Sequence, residues 1–457
     1  MIVNTLIVGG GPAGLAPLIS ASRSGLLDRI LADGIVLAER GSTIGAGRIG
    51  RYAINSDSTG NTLTSCVTDN PHPTLAALRE HPVVQAVAAY QGGSVPLALV
   101  GEFMMVLGDA LRDLMIASGN EVLLGHEAIS SKKLSDGFWR TKLRRLSDGN
   151  DIFVESRFVV MATGGHQPRS YLERRSIGGR PLLPSCAGRL IQSDEALTAA
   201  GLAAIGDRLA KGRSQRIAIV GSSSSAMACA NAVLQSPFGR ELSAGAVTLL
   251  HRRPLHIFYP SAAEALADGY DEFGSEDICP ISGFVFRLSG LRLEARDLLM
   301  AVRGIGGRPP EERLRLHQVG AGLDRRALEI LDEADVVIAA LGYRPQALPL
   351  LAPSGRRLEV FADDTGTRPL VDSECRVLDR HGAPIEGLFG IGLGSGFFSR
   401  ELVGGELSFS GQTNSLWQWQ NAVGGLIARQ LQTAEVTKPL EPTPIAAKRI
   451  LLGLQSF

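Results

Sequence analysis

Cysteine is scarce in this 457-residue sequence, and the five that occur (Cys66, Cys186, Cys229, Cys279 and Cys375) lie far apart. None forms a C-x-x-C pair, which argues against a redox dithiol, a zinc ribbon and a disulfide scaffold together. Long apolar runs are also missing. No stretch of about 18 apolar residues free of charge occurs, so no spanning helix is expected. Net charge is absent as well: Lys+Arg and Asp+Glu both number 46. That balance gives no electrostatic case for wrapping nucleic acid. No H-E-x-x-H or other metal-ligand spacing and no Gly-x-Ser-x-Gly elbow is met, so neither a resident metal nor a hydrolase nucleophile is expected. The start, Met1-Ile-Val-Asn-Thr-Leu-Ile-Val, has no basic stretch and runs straight into a glycine motif, unlike a signal peptide. A cytoplasmic protein with buried free thiols is the expectation.

What abounds is glycine, 54 residues with no collagen-like period, which reads as many tight backbone turns. At 44% hydrophobic and 20% charged the chain is ordinary globular material. Its length suits two or three domains at roughly 100–200 residues each. An apolar, β-branched run at 3–8 leads into Gly9-Gly-Gly-Pro-Ala-Gly14, and a helical pattern then ends at Gly25. A second strand, Ile35-Val-Leu-Ala, ends in Glu39, after a polar insertion at Asp28–Gly34. A helix is expected at about 101–118. Runs separated by Ser135-Asp-Gly and Ser147-Asp-Gly suggest a small antiparallel meander over 121–160, closing with Phe158-Val-Val-Met-Ala-Thr163-Gly-Gly.

The plan then recurs. Arg216-Ile-Ala-Ile-Val220 is a fresh strand, Gly221-Ser-Ser-Ser-Ser-Ala226 a small-residue turn, and 226–235 a helix. Val247-Thr-Leu-Leu ends in His251-Arg252-Arg253, and Asp335-Val-Val-Ile-Ala-Ala340-Leu-Gly342-Tyr343 is a later strand running into glycine. A helix is expected at about 412–432, followed by a proline-punctuated tail. The expected division is 1–205 and 346–432 for one discontinuous dinucleotide-binding domain, 206–345 for a second inserted into it, and 433–457 for the tail.

Each half carries its own chemistry. In Gly9-x-Gly11-x-x-Gly14 the first glycine permits the tight turn, the second lets backbone approach a pyrophosphate, and the third lets the helix pack on the sheet. Amides at the helix start, including those around Pro12 and Ala13, face the phosphates with the helix dipole behind them. Glu39 suits ribose hydroxyls and would repel a 2′-phosphate, with Arg40 beside it. In the second motif, Gly221-x-Ser223-x-x-Ala226, small residues keep the packing, and the hydroxyls of Ser222, Ser223, Ser224 and Ser225 can add phosphate contacts. Arg252 and Arg253 suit a 2′-phosphate through charge-assisted, bidentate pairing. The first site should therefore take a dinucleotide without that phosphate, and the second NADPH.

With two such sites the sequence resembles the flavin-dependent oxidoreductases with two dinucleotide-binding domains. The resemblance covers most of 1–430 and rests on Val8–Gly14, Ala162-Thr163-Gly164, Gly221–Ala226, Ala340–Tyr343 and Gly387–Gly396. It implies an α/β protein of two Rossmann-like domains, FAD on the first and NADPH on the insert. The chain looks most like the single-component flavin monooxygenases. Tyr52-Ala-Ile-Asn55 resembles a segment lining the flavin, and Ala162-Thr-Gly-Gly-His166-Gln-Pro168 a strand end of the flavin-containing type. Leu341-Gly-Tyr343-Arg-Pro345 resembles a strand end of the amino-acid N-hydroxylases.

The resemblance implies a C4a-hydroperoxyflavin kept dry, O2 as co-substrate, and one oxygen inserted into a small soft nucleophile. An amine nitrogen is preferred over sulfur or a ketone. Asn55, Asn61 and Gln192 are the candidates for steering the peroxide; Gln192 stands where the family fingerprint, aligned on Gly188, has histidine. Thr163, Gly164, Gly342, Gly392 and Gly394 are the turn positions expected against the cofactors. Gln412 and Asn414 are placed to present amides to the flavin's O2 side. Two other readings remain open: an NADPH-dependent flavoprotein reductase or oxidase that oxygenates nothing, and a non-catalytic flavin- or nucleotide-binding protein. Homo-oligomerisation is left open too.

Overall fold

A computed structural model of the chain describes residues 1–363, 368–412 and 415–432. Asn414 and the tail 433–457 therefore lie outside the described residues. The first strand, Ile2–Val8, lies between Ile35–Glu39 and Asp151–Met161 and parallel to both, with Ile7 beside Leu37 and Val160. Leu6 and Ile7 are both 0% exposed. A parallel strand covered on both faces reads as a continuous apolar run rather than an alternation, which is how this one is legible. Helix Pro12–Arg23 makes the crossover. The polar insertion that follows is a second short helix, Leu27–Ala32. Its Leu27, Ile30 and Leu31 are buried while Asp28 and Arg29 face water, the spacing of one helical stripe.

Strands His126–Lys133, Trp139–Arg145 and Asp151–Met161 form the antiparallel meander expected over 121–160. The meander is not separate from the parallel layer. Asp151–Met161 changes partners along its length: Ser156 pairs with Trp139, and further on Val159 pairs with Leu388 of Pro384–Gly390. Trp139, fully buried, seals the junction by donating its Nε1–H to the Glu386 carbonyl at 3.2 Å.

The second unit is a five-stranded parallel sheet in the order Leu190–Gln192, Val336–Ala339, Ile217–Val220, Val247–His251, Leu314–Gln318. Ile217 and Ile219 pack into one apolar layer and Ala218 and Val220 into the opposite one. The strand at 190–192 belongs to this sheet, and the expected division at 205/206 falls inside helix Ala199–Lys211. The chain crosses out and back through two short antiparallel strands, Gly165–His166 and Arg344–Pro345.

The C-terminal helical stretch begins at Leu416 rather than at 412, because Ser415 Oγ accepts the Gln418 N–H at 3.2 Å and caps it there. It lies against Pro12–Arg23, and Gly424 is required by that contact: a Cβ would stand 2.4 Å from the Ala16 carbonyl oxygen. All five cysteines are buried and free. Among the described residues no helix is long and apolar enough to cross a membrane.

Candidate active site

The two glycine turns are built alike. Gly9 accepts no side chain, since at φ +101° a Cβ would stand 2.4 Å from the Ala162 carbonyl oxygen. Gly221 meets the Ala340 carbonyl oxygen at the same 2.4 Å. In the first unit Gly9 donates to Ala38 and Ala162 donates to Val8, each at 2.8 Å. In the second, Gly221 donates to Leu250 at 3.0 Å and Ala340 to Val220 at 2.8 Å. The glycines two residues after each alanine, Gly164 and Gly342, both have positive φ, +77° and +81°. Each unit thus presents its turn and helix start at the carboxyl ends of its strands, where doubly wound sheets bind ligands.

Both helix starts are open to an anion. No side chain caps Pro12–Arg23, whose N-cap is Gly11. At Ser224–Gln235 the N-cap is Ser223, whose Oγ is buried and has no hydrogen-bond partner among the described residues. Uncapped amide ends with the helix dipole behind them suit phosphate oxygens, so the donor set fits two pyrophosphates. Glu39 is held at the rim: its Oε2 accepts from Gly10 N–H and its Oε1 from Gly41 N–H, both at 2.7 Å. Each oxygen retains a lone pair for a hydroxyl donor.

One cavity of about 880 Å³ joins the two units. Gly9, Gly11, Pro12, Ala13, Glu39, Arg40, Thr163, Gly164 and Gly392 line its first end, Asn55 its middle, and Ser224 and Ser225 the second unit's wall. Gly14 lies beneath, packed on the Gly9 carbonyl. Gly221, Ser222, Ser223, Gly342 and Gly394 form turns behind the wall rather than its surface.

Three of the expected amide side chains are not brought to the cavity, and neither are Arg252 and Arg253. Asn61 is exposed in the first turn of Gly60–Thr68, a helix capped by Thr59, and its N–H bonds the Gln91 carbonyl. Gln192 ends the edge strand of the second sheet and spends its amide on the Gln167 carbonyl at 3.0 Å. Gln412 is exposed and outside the wall, since the helix it was expected to open starts later. Asn414 falls outside the described residues.

Arg252 and Arg253 are exposed just past Val247–His251, and Arg252 donates to the Ser176 carbonyl. Loss of a charge-assisted phosphate contact costs about 10- to 100-fold in affinity. Arg252→Ala and Arg253→Ala are therefore expected to raise KM for NADPH by about that factor and to leave NADH nearly unchanged. Steady-state kinetics with both coenzymes checks this, and an unaltered preference would refute the assignment.

Several groups at the cleft escaped the sequence reading, among them Asp194, which stands behind the lining residues Arg48, Tyr52 and Tyr343. Asp194 accepts from Tyr52 Oη at 2.7 Å, from Arg48 at 2.6 Å and from Tyr343 Oη at 3.5 Å, tying the first unit to the crossover. Burial, then the Asp194 carboxylate, raises the Tyr52 phenol above its ordinary value. Burial and the neighbouring Tyr52 do the same to Tyr343, so both stay neutral donors at physiological pH. Arg292 stacks on Phe258, 3.9 Å from the ring centroid. Burial pulls its guanidinium down to about 10, which still leaves it charged at neutral pH. Trp419 and Glu294 also line the cavity. No local spacing marks Asp194, Arg292 or Glu294, which come to the cleft from separate parts of the chain.

No family model matches the chain. It is 30% identical over 460 residues to the CMP-5′-(3-aminopropyl)phosphonate hydroxylase of Streptomyces rubellomurinus, covering 95% of this chain and 98% of that protein. Among solved structures it resembles the FAD-bound cadaverine monooxygenase of desferrioxamine biosynthesis from Erwinia amylovora (TM-score 0.54, 12% identity, 96% and 99% of the two chains). It also resembles the L-lysine 6-monooxygenase of Pseudomonas syringae (TM-score 0.52, 15% identity, 95% and 100%). At these identities the structural likeness establishes the fold alone, two Rossmann-like α/β units sharing one cleft.

Proposed function

The chain belongs to the single-component flavin-dependent monooxygenases with two dinucleotide-binding domains, and from that membership we propose that it hydroxylates the nitrogen of a small primary amine with FAD and NADPH. The balanced reaction is R–NH2 + O2 + NADPH + H⁺ → R–NHOH + NADP⁺ + H2O. The observation that carries this reading is the shared cleft: the first turn (Gly9–Ala13) and the second helix start (Ser224, Ser225) open on the same cavity. Bound FAD would supply hydride acceptance and oxygen activation; the chain's own residues bind, orient and exclude water.

In this reading Gly9, Gly11, Pro12, Ala13 and Gly14 seat the FAD pyrophosphate, with Glu39 and Arg40 at its ribose. Thr163, Gly164, Gly392 and Gly394 shape the backbone beside it. Gly221, the serines 222–225, Gly342 and the arginine pair at 252–253 serve NADPH. Asn55 is the polar side chain at the middle of the cleft. Trp419 and Leu416 are apolar parts of the wall that help to keep water out. The Streptomyces relative is named for an amine that also carries a phosphonate. Arg292, charged and set into this cleft, supports a substrate that likewise bears an anion beside its amine. Five buried, unpaired thiols fit a reducing compartment such as the cytoplasm.

The test is coupling. Yellow purified protein, NADPH and CMP-5′-(3-aminopropyl)phosphonate or free 3-aminopropylphosphonate are incubated in air. NADPH consumed is compared with hydroxylamine formed and with hydrogen peroxide released. Product carrying one added oxygen in near-equal amount to NADPH is expected. Peroxide in full stoichiometry with every amine tried would favour the oxidase reading instead.

A further inference from the structure

Glu294 stands in the first turn of Leu293–Arg303 on the cleft wall, and three neighbours hold its carboxylate still. Oε1 accepts from Asn55 Nδ2 at 2.5 Å and from Ser94 Oγ at 3.1 Å, and Oε2 accepts from Asn231 Nδ2 at 3.0 Å. Asn55 and Ser94 sit on the paired strands Asn55–Thr59 and Ser94–Pro96 of the first unit, Asn231 on Ser224–Gln235 of the second. All three donors are neutral amides or hydroxyls. They fix the direction of the carboxylate without cancelling its charge. Among the described residues no cation lies within ion-pair distance of it.

The other charged groups on or near this part of the wall are already engaged. Arg48 pairs with Asp194. Asp57 is exposed and acts electrostatically on Arg292, as does Glu406. Arg51 lies over the Tyr52 ring and donates to the Asp194 carbonyl. Glu294 is thus an oriented, half-buried anion facing a cavity, and no described residue pairs with its charge. A half-buried charge is retained at lower cost when a ligand of opposite sign completes it.

We infer that Glu294 is the subsite for the substrate's ammonium group and takes its proton before oxygen transfer, an inference that rests on the N-hydroxylating reading above. An alkyl ammonium has a pKa near that of lysine, about 10.4, and is protonated at neutral pH. Its nitrogen has no lone pair to offer until that proton leaves: R–NH3⁺ + Glu–COO⁻ → R–NH2 + Glu–COOH. Glu294 first attracts the cation and then holds the proton, while Asn55, Ser94 and Asn231 keep both oxygens in place.

The experiment compares flavin-loaded wild type with Glu294→Gln and Glu294→Asp. Ligand-detected NMR titration with n-propylammonium, and with 1-propanol as the neutral control, reads the charge contribution directly. Glu294→Gln is expected to weaken n-propylammonium by about 10- to 100-fold, the usual cost of losing a charged hydrogen-bond partner, and to leave 1-propanol within twofold. Glu294→Asp should recover part of the loss. In turnover with 3-aminopropylphosphonate, kcat/KM of the Gln variant should climb about tenfold per pH unit towards the pKa of the amine, because only the free base then reacts. KM for NADPH should stay at the wild-type value. Equal n-propylammonium binding by wild type and Glu294→Gln overturns the inference. So does a joint loss of amine, alcohol and NADPH, which would make Glu294 only a clamp between the units. If wild type forms no hydroxylamine from any amine, the N-hydroxylating reading falls, while the titration still decides the ammonium subsite.

Discussion

Gly14→Ala is expected to leave purification colourless and to melt several degrees below the parent. The added Cβ would stand 1.9 Å from the Gly9 carbonyl oxygen and 3.0 Å from its carbon, both backbone atoms. Gly9 has little room to yield, because its N–H is bonded to the Ala38 carbonyl at 2.8 Å and its φ of +101° leaves no space for a Cβ beside the Ala162 carbonyl. The helix must therefore lift off the strand, and overpacking of this kind costs about 1–3 kcal/mol or more. At about 2–4 °C per kcal/mol for a domain of this size, that is a visible shift by scanning calorimetry. Lifting the helix also misdirects the amides offered to the FAD pyrophosphate. Gly11→Ala separates the two effects. Its Cβ meets only Gly47, with Cα at 3.4 Å, so the flavin-free protein should melt like its parent while flavin content falls tenfold or more. A Gly14→Ala protein that stays yellow with the parental ratio of flavin to protein absorbance would overturn this account of the first turn.

Glu406→Ala should be the most destabilising single carboxylate change. Glu406 is 0% exposed. Its Oε1 accepts from Ser289 N–H and Ser289 Oγ, both at 2.8 Å, and its Oε2 accepts from Leu288 N–H at 2.9 Å. The approach to it is equally constrained: a Cβ at Gly404 would meet Arg287 Nη1 at 2.3 Å, and Gly405 N–H points to Cys279 Sγ at 3.3 Å. Residues 404–406 thus anchor the returning first unit on the 279–289 loop of the second. Truncation strands three donors in a dry pocket, at about 3 kcal/mol or more in total. The melting temperature should fall by several degrees, and limited proteolysis should cut within 399–411 sooner than in the parent. Melting and cleavage at the parental rate would show that the anchor contributes little.

These two sites differ in how well they could be read in advance. Gly9, Gly11 and Gly14 act within one turn, and their roles follow from φ and from the closeness of helix to strand. The same logic extends to Gly221 and to the alanines at 162 and 340, whose carbonyls press on the glycines in matched geometry. Leu27–Ala32 was hidden by its polar surface, although its buried stripe was present in the spacing. Asn61 and Gln192 were misplaced because an amide side chain carries no mark of the face it will occupy. One was turned out by a helix cap, and the other was consumed by a neighbouring carbonyl.

Local spacing alone determined that this chain makes two glycine-turn units with opposite charge preferences at their second strands, since such turns are set by contacts a few residues apart. The cleft was decided elsewhere. Glu294 meets Asn55 across 239 positions and Ser94 across 200, and Asp194 reaches Tyr52 across 142. Which donor finds which carboxylate at such separations depends on how the second sheet docks on the first. That docking is fixed by the packing of whole layers, to which no short segment of sequence bears witness.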